Sequence, residues 1–385
     1  MRSRTFRSTT PAAVAAVGAL ALSVLAPTMA EAATVAPGAP IRMQPVTPAA
    51  DGMPVELDAA SCSQAFTGTI LRADGTRTPI LVTSGHCVTT MDDTFVPSDQ
   101  VYAPKQDGNH AVGTREHFVL ELPETGDLVG DFVGTATGAD WATVVLNPGV
   151  STSRTSESVD QFGTPSGDPV VLTGIRDYPD LAPGQFSVDN AGQPICKDGA
   201  TSGRSCGVQL MRTRNSVFHI GVEYQHGDSG GINFDPVNHE VIGITTESYG
   251  PIGRAQPADV VLQDAYGIPD GQVNERFQLA ESTEPHDTDF RTLGQDQAAT
   301  QAWLDQNTEA SEPVEVPNFR AEFDQELTSA QADAARYSEQ AGAKLATGNI
   351  AGVQATANEA SAAANGYAES LPDLGVNAAL QEFLG

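Results

Sequence analysis

Between about residue 60 and residue 265 the sequence is a succession of short β-branched runs, each of strand length and each closed by Gly, Pro, Asp or Asn. "AFTGTILRA", "PILVTSGH", "DWATVVLN", "DPVVLTGI", "FHIGVEY" and "EVIGITTES" all have this form. Short strands spaced by turn residues predict an all-β barrel or sandwich.

The end of the chain is different in kind. Apolar residues at Phe319, Phe323, Leu327, Ala330, Ala334, Tyr337, Ala341 and Leu345 follow steps of four and three, which is one face of a helix. Thr347-Gly348-Asn349 interrupts the series. It resumes at Ile350, Val353, Ala357, Ala360, Ala364, Tyr367 and Leu371, with Pro372 as a stop. Two such stripes around a Gly-Asn turn predict an antiparallel helical hairpin over 318–385. Many of the stripe positions are alanine, so each helix would bury little area and the hairpin calls for a third surface. That surface would be the β-rich part, the C-terminal "NAALQEFLG", or another molecule such as a protein or cell-envelope partner. Between the two regions, 265–295 is polar and carries no assignment, Asp296 to Gln306 reads as a short helix, and 309–317 reads as an acidic, Pro-containing linker.

The first residues set the compartment. A basic MRSRTFR, an apolar AAVAAVGALALSVLA and the small-x-small site Ala30-Glu31-Ala32 together read as a secretory signal peptide over 1–32. Residues 33–58, rich in Pro and Ala, read as a linker or short pro-segment. No second long apolar run follows, so no membrane span is expected and the mature chain is expected outside the cell. The formal net charge of −29 argues against nucleic acid as a partner. Four cysteines in an exported chain favour two disulfides, and no CxxC or HExxH spacing points to a metal. No cofactor is expected.

Three stretches carry the chemistry. "GDSGG", with Ser229 at its centre, reads alone as a turn. A serine hydroxyl becomes a nucleophile only beside a base, usually a histidine that a buried carboxylate orients. His86, in "LVTSGHCVTT", follows a strand and precedes a cysteine. Asp140, in "GADWATVVLNP", heads a strongly apolar strand, whereas Asp127 and Asp131 lead into none. His86, Asp140 and Ser229 thus occur in the order His, Asp, Ser, which differs from the order in subtilisin-like and α/β-hydrolase chains.

With these residues in place, the chain resembles the chymotrypsin-fold, trypsin-like serine proteases, and within them the streptogrisin-like bacterial secreted branch. The resemblance covers about residues 58–308. It implies two six-stranded antiparallel β-barrels in a protease domain over 59–308, followed by the helical hairpin. It implies a secreted endopeptidase acting on protein or peptide substrates through an acyl-enzyme, with His86, Asp140 and Ser229 as triad and the amides of Gly227 and Ser229 as oxyanion hole. "ICKDGATSGRSCGV" is similar to a disulfide-closed hairpin of the bacterial members, so the implied bridges are Cys62–Cys87 and Cys196–Cys206. The short helix around Trp303 would match the helix that closes the family fold.

The substrate pocket is expected from Glu223, six residues before the serine, and from Thr246, Glu247 and Ser248 on the following strand. A carboxylate at the pocket base would favour Arg or Lys before the cleaved bond, but both glutamates read equally as solvated. His226 reads as a substrate contact or as a surface residue. In animal members Asp228 would pair with a new N-terminus. No Ile-Val junction precedes residue 60, so Asp228 is expected to pair internally with polar groups. Two other readings share these residues: an interaction protein working through its hairpin, and a serine hydrolase acting on esters.

Overall fold

A computed structural model of the chain describes residues 34–89, 95–121, 134, 136–249, 251–285, 289–307, 319–347, 349, 351–364 and 366–367. The expected leader 1–32, the linker 309–317, Asp127, Asp131 and the segment 368–385 lie outside the described residues. The chain divides into two compact units, Met1–Leu304 and Asp305–Gly385.

The first unit is built from two closed sheets. In the first, β1 (Pro40–Pro45), β2 (Ala60–Ser63), β3 (Phe66–Leu71), β4 (Arg77–Thr83), β5 (Pro97–Lys105), β6 (Gly108–Leu120) and β7 (Asp140–Leu146) pair antiparallel throughout. Only Gln64 and Ala65 separate β2 from β3, and the two act as one bent strand. β2 pairs with β1 and β3 with β4, so the ring β1–β2/β3–β4–β7–β6–β5 returns to β1 with six strands. Side chains that alternate inward, among them Ile41, Met43, Leu81, Val101, Val112 and Val144, fill it.

The second ring uses β8 (Pro194–Gly199), β9 (Gly203–Arg212), β10 (Val217–Ile220), β11 (Ile232–Phe234), β12 (Glu240–Tyr249) and β13 (Ile252–Pro257). Its order is β12–β11–β8–β9–β10–β13, and the β12–β13 ladder closes it, again antiparallel at every pair. Phe66, Ile80 and Trp141 of the first barrel share one apolar cluster with Ile232, Phe234 and Ile244 of the second. The two expected six-stranded barrels are therefore both present, packed through a common core.

Three details correct the sequence reading. The stretch read as a linker or pro-segment, 33–58, contributes β1, and Val35, Ala36, Ile41 and Met43 are fully buried. Pro40 and Pro45 lie at the two ends of the strand, where a missing N–H is tolerated. "DPVVLTGI" forms only two-residue strands at Val170–Val171 and Gly174–Ile175. The helix that closes the second barrel is not the one around Trp303. It is α2 (Ala258–Tyr266), which follows β13 directly, buries Ala258, Val260, Val261 and Leu262, and ends on Gly267 in the left-handed conformation. The chain then adds β14 (Phe277–Leu279) to the edge of β3, and reaches α3 (Leu293–Asn307), which has no buried residue.

The second unit holds α4 (Phe319–Ala346) and a further helical stretch over 351–364 and 366–367. Lys344 Nζ donates to Thr356 Oγ1 at 2.6 Å. Eleven residues away from that contact on each helix, Tyr367 OH donates to Asp333 Oδ2 at 3.0 Å. That register makes the pair antiparallel, as the stripes predict. Asn349 accepts from the Gly352 N–H through its side chain, at 2.9 Å, and so caps the second helix. Among the described residues of this unit only Thr356 is buried, so alanine stripes leave the hairpin with little core of its own.

Candidate active site

β4 ends at Thr83 and the chain makes a single helical turn, α1 (Gly85–Val88), that carries His86. Cys87, next to it, is bonded to Cys62 on β2 and fixes that turn to the barrel wall. β7 begins with Asp140, which is 5 % exposed. Its Oδ2 lies 2.7 Å from His86 Nδ1, and its Oδ1 accepts the His86 backbone N–H at 2.9 Å. The carboxylate thus holds both ring and backbone. The Asp140 N–H in turn donates to Gln256 Oε1 of the second barrel at 3.2 Å.

The electrostatics follow from this pairing. Burial opposes the imidazolium, but the charge and hydrogen bond of Asp140 outweigh it, with Glu247 adding to them, so the His86 pKa stands above its ordinary 6.5. Burial likewise opposes the Asp140 carboxylate, but the charge and hydrogen bond of His86 prevail and hold its pKa below the ordinary range.

Ser229 sits in the turn before β11. Gly227 and Gly230 flank it with φ of +93° and +80°, a conformation that favours glycine. A Cβ on Gly230 would strike Thr83 Oγ1 and the Ser63 carbonyl, so that glycine admits the first barrel's backbone. Ser229 Oγ donates to the Thr246 carbonyl at 3.4 Å, and its own carbonyl accepts from the Ser63 N–H at 2.7 Å. The amides of Asp228, Gly230 and Gly231 donate to the carbonyls of Gln225, Thr245 and Asp228. Among the described residues, those of Gly227 and Ser229 donate to none.

His86, Asp140 and Ser229 line one cleft of about 470 Å³, together with Thr246, Glu247 and Ser248. A second recess of about 300 Å³ shares His86, His226 and Ser229, so these three stand where the two meet. Glu223 is exposed and lies outside the lining of both; its backbone N–H is held by Ser205 Oγ at 3.0 Å. Glu247 Oε1 accepts from Arg254 Nη1 at 2.8 Å. Tyr224 also lines the larger cleft, and its OH meets Nε2 of the buried His219 at 2.6 Å. The group with metal-ligand spacing among the described residues is Cys62, His86 and Cys87, and its two sulfurs are joined in a disulfide. The second bridge, Cys196–Cys206, ties β8 to β9 across the ladder.

At these distances the fold decides. It is the chymotrypsin-like double barrel. Solved structures similar to this chain include Protease A of Thermobifida fusca, 18 % identical, which covers 65 % of this chain and 100 % of its own at a TM-score of 0.37. A chymotrypsin of Cellulomonas bogoriensis gives the same values. The VesB protease of Vibrio cholerae is 12 % identical, over 58 % of this chain and 61 % of its own, at a TM-score of 0.30. Likeness at that level carries no argument, and the fold rests on the strand pairings above. No protein-family model and no curated protein matches the chain.

Two charged groups, Lys197 and Arg254, escape a reading of motifs. Asp228 is fully buried, and its carboxylate receives Lys197 Nζ at 2.8 Å, Ser202 Oγ at 2.5 Å and the backbone amides of Thr201, Ser202 and Gln225. The internal partner expected for Asp228 is therefore a full charge, the Lys197 ammonium on β8, supported by a hydroxyl and three amides. Arg254, 2 % exposed, donates to Ser216 Oγ, to Glu247 and to the Gly138 carbonyl, two residues before Asp140. Neither stretch, "ICKDG" or "IGRAQP", signals this: Lys197 meets an acid 31 residues on, in the turn that carries Ser229, and Arg254 reaches a carbonyl 116 residues back.

Proposed function

We propose that the chain is a secreted serine endopeptidase that cleaves peptide bonds through an acyl-enzyme. The observation that carries the reading is the 2.7 Å contact between His86 Nδ1 and the buried Asp140, in a cleft that Ser229 also lines. In this reading Ser229 Oγ attacks the substrate carbonyl while His86 Nε2 takes its proton. The tetrahedral oxyanion is received by the amides of Gly227 and Ser229. His86 then protonates the leaving amine, and a water repeats the sequence to free the acid. Asp140 holds the imidazole with its Nδ1–H inward and stabilises the imidazolium that forms. Secretion is supported by the leader-like N-terminus and by two formed disulfides; among the described residues no helix is long and apolar enough to cross a membrane.

Selection for Arg or Lys before the cleaved bond is not part of the proposal. Glu223 lies outside the cleft lining and Glu247 is engaged by Arg254. A library varying that substrate position is expected to show no strong preference for basic residues.

The deciding experiment exposes purified protein to a serine-directed fluorophosphonate probe, with Ser229→Ala as control. Labelling of the first alone, with cleavage of peptide substrates, is expected; failure of the unmutated protein to label overturns the reading. Turnover of esters without peptides would favour the ester-hydrolase reading. Labelling without turnover of either would favour an interaction protein.

A further inference from the structure

We propose that Leu293, at the first position of α3, is a positioning residue for the loop carrying Gly227 and Ser229; this rests on the serine-hydrolase reading above. α3 lies beyond the helix that closes the second barrel, and it buries no residue of its own. Yet the chain around its first turns is fastened firmly. Phe290 is 7 % exposed and belongs to the core of the first barrel. The Arg291 N–H donates to the Pro104 carbonyl at 3.0 Å. The Asp296 carboxylate sits between two guanidinium groups: Arg42 Nε of β1, 1 % exposed and 2.6 Å away, and Arg291 Nε. Thr300 Oγ1 donates to the Leu57 carbonyl at 2.8 Å. An almost fully buried arginine retained on a barrel strand is costly unless paired, so this anchorage specifies where the helix begins.

What the anchorage places is Leu293. A Cβ built on Gly227 would stand 3.5 Å from Leu293 Cδ2, and Gly227, Leu293, Thr201, Ser61 and Arg42 enclose a cavity of only about 20 Å³. The loop is braced elsewhere by Lys197 on Asp228 and by Ser63 Oγ, which donates to the Gly227 carbonyl at 2.7 Å. Those contacts hold its carbonyl and its acid. Gly227 itself has φ of +93° and no side chain, so nothing of its own resists a rotation that would turn its N–H from the cleft. Thr201 Oγ1 lies closest to the outer side of that glycine, and Leu293, packed beside it, closes the remaining space such a rotation needs.

The test compares Leu293→Ala and Leu293→Met with the unmutated protein on a cleaved peptide, with kcat expressed per active site titrated by the fluorophosphonate probe. A variant that merely unfolds then loses sites, not kcat. Displaced oxyanion donors should lower kcat of Leu293→Ala about tenfold or more with KM nearly unchanged, and Met should restore it. A kcat per site within about twofold of the unmutated value, or an effect on KM alone, overturns the proposal while leaving the hydrolase reading intact. Failure of the unmutated protein to label overturns both.

Discussion

His86 is held by a carboxylate from one side and faces a cleft containing both Glu247 and Arg254, and its charge state should govern rate. Because its pKa is raised above 6.5 and only the neutral ring can accept a proton, kcat/KM should rise with pH through an apparent pKa above 6.5. Glu247→Gln removes one of the charges that raise it and should move that limb to lower pH. A pH–rate profile of the two proteins checks the shift. Asp140→Asn should keep the site's shape and lower kcat on the order of 10⁴-fold, by favouring the wrong tautomer. Lys197 and Asp228 form the other decisive pair. Lys197→Met leaves a carboxylate buried without its cation and should cost on the order of 3–5 kcal/mol, read by denaturant unfolding, with Asp228→Asn in the same chain recovering part of it. His86, Asp140 and Ser229 could be singled out from the sequence because each sits in a short local signature. Lys197 could not, since a lysine on a strand carries no mark of the acid 31 residues later that it meets.

Among elements, β1 and α2 show what periodicity can miss. In "PIRMQP" the buried Ile41 and Met43 alternate with Arg42, which has the look of an exposed polar position until Asp296 is known to meet it 254 residues on. Flanking prolines completed the disguise. α2 is short and begins directly at the end of a strand, so its helical stripe merges with the preceding β pattern. Its contribution should still be large. Leu262→Ala should destabilise by about 2–5 kcal/mol, measured by denaturant unfolding. Asp259, in its first turn, is buried enough to push its pKa up to about 7, with the Tyr178 and Val260 amides opposing and Asp177 and Asp180 adding to the rise. A raised carboxylate contributes stability that is full below the ordinary 3.8 and is lost as pH rises through 7. On β10 the neutral, buried His219 works the other way. Burial lowers its pKa to about 4, against a Val217 carbonyl that raises it, so its stability is present above 6.5 and lost as pH falls through 4. Melting temperatures of His219→Gln should therefore depend less on pH between 4 and 6.5 than those of the unmutated protein.

For the whole molecule, the two units differ in how they are held. The barrels have an extensive core of Ile, Val, Leu and Phe, and their strand runs made the all-β class legible from spacing alone. The helical unit has stripes of alanine, half-buried at best, and its existence was legible from the period of those stripes while its purpose was not. A chain ending at residue 316 should keep the catalytic rate per site, because every residue assigned to the chemistry lies in the first unit. Steady-state kinetics and melting of that truncation check this, and a lowered melting temperature would identify the hairpin as a stabiliser.

The ammonium that meets Asp228 belongs to a barrel strand and is therefore in place from the moment the barrel closes. Proteases that draw this charge from a freshly cut end can be stored safely and armed later. Under the reading proposed above, folding itself would supply that charge, and a chain refolded without any cleavage should label with the fluorophosphonate probe.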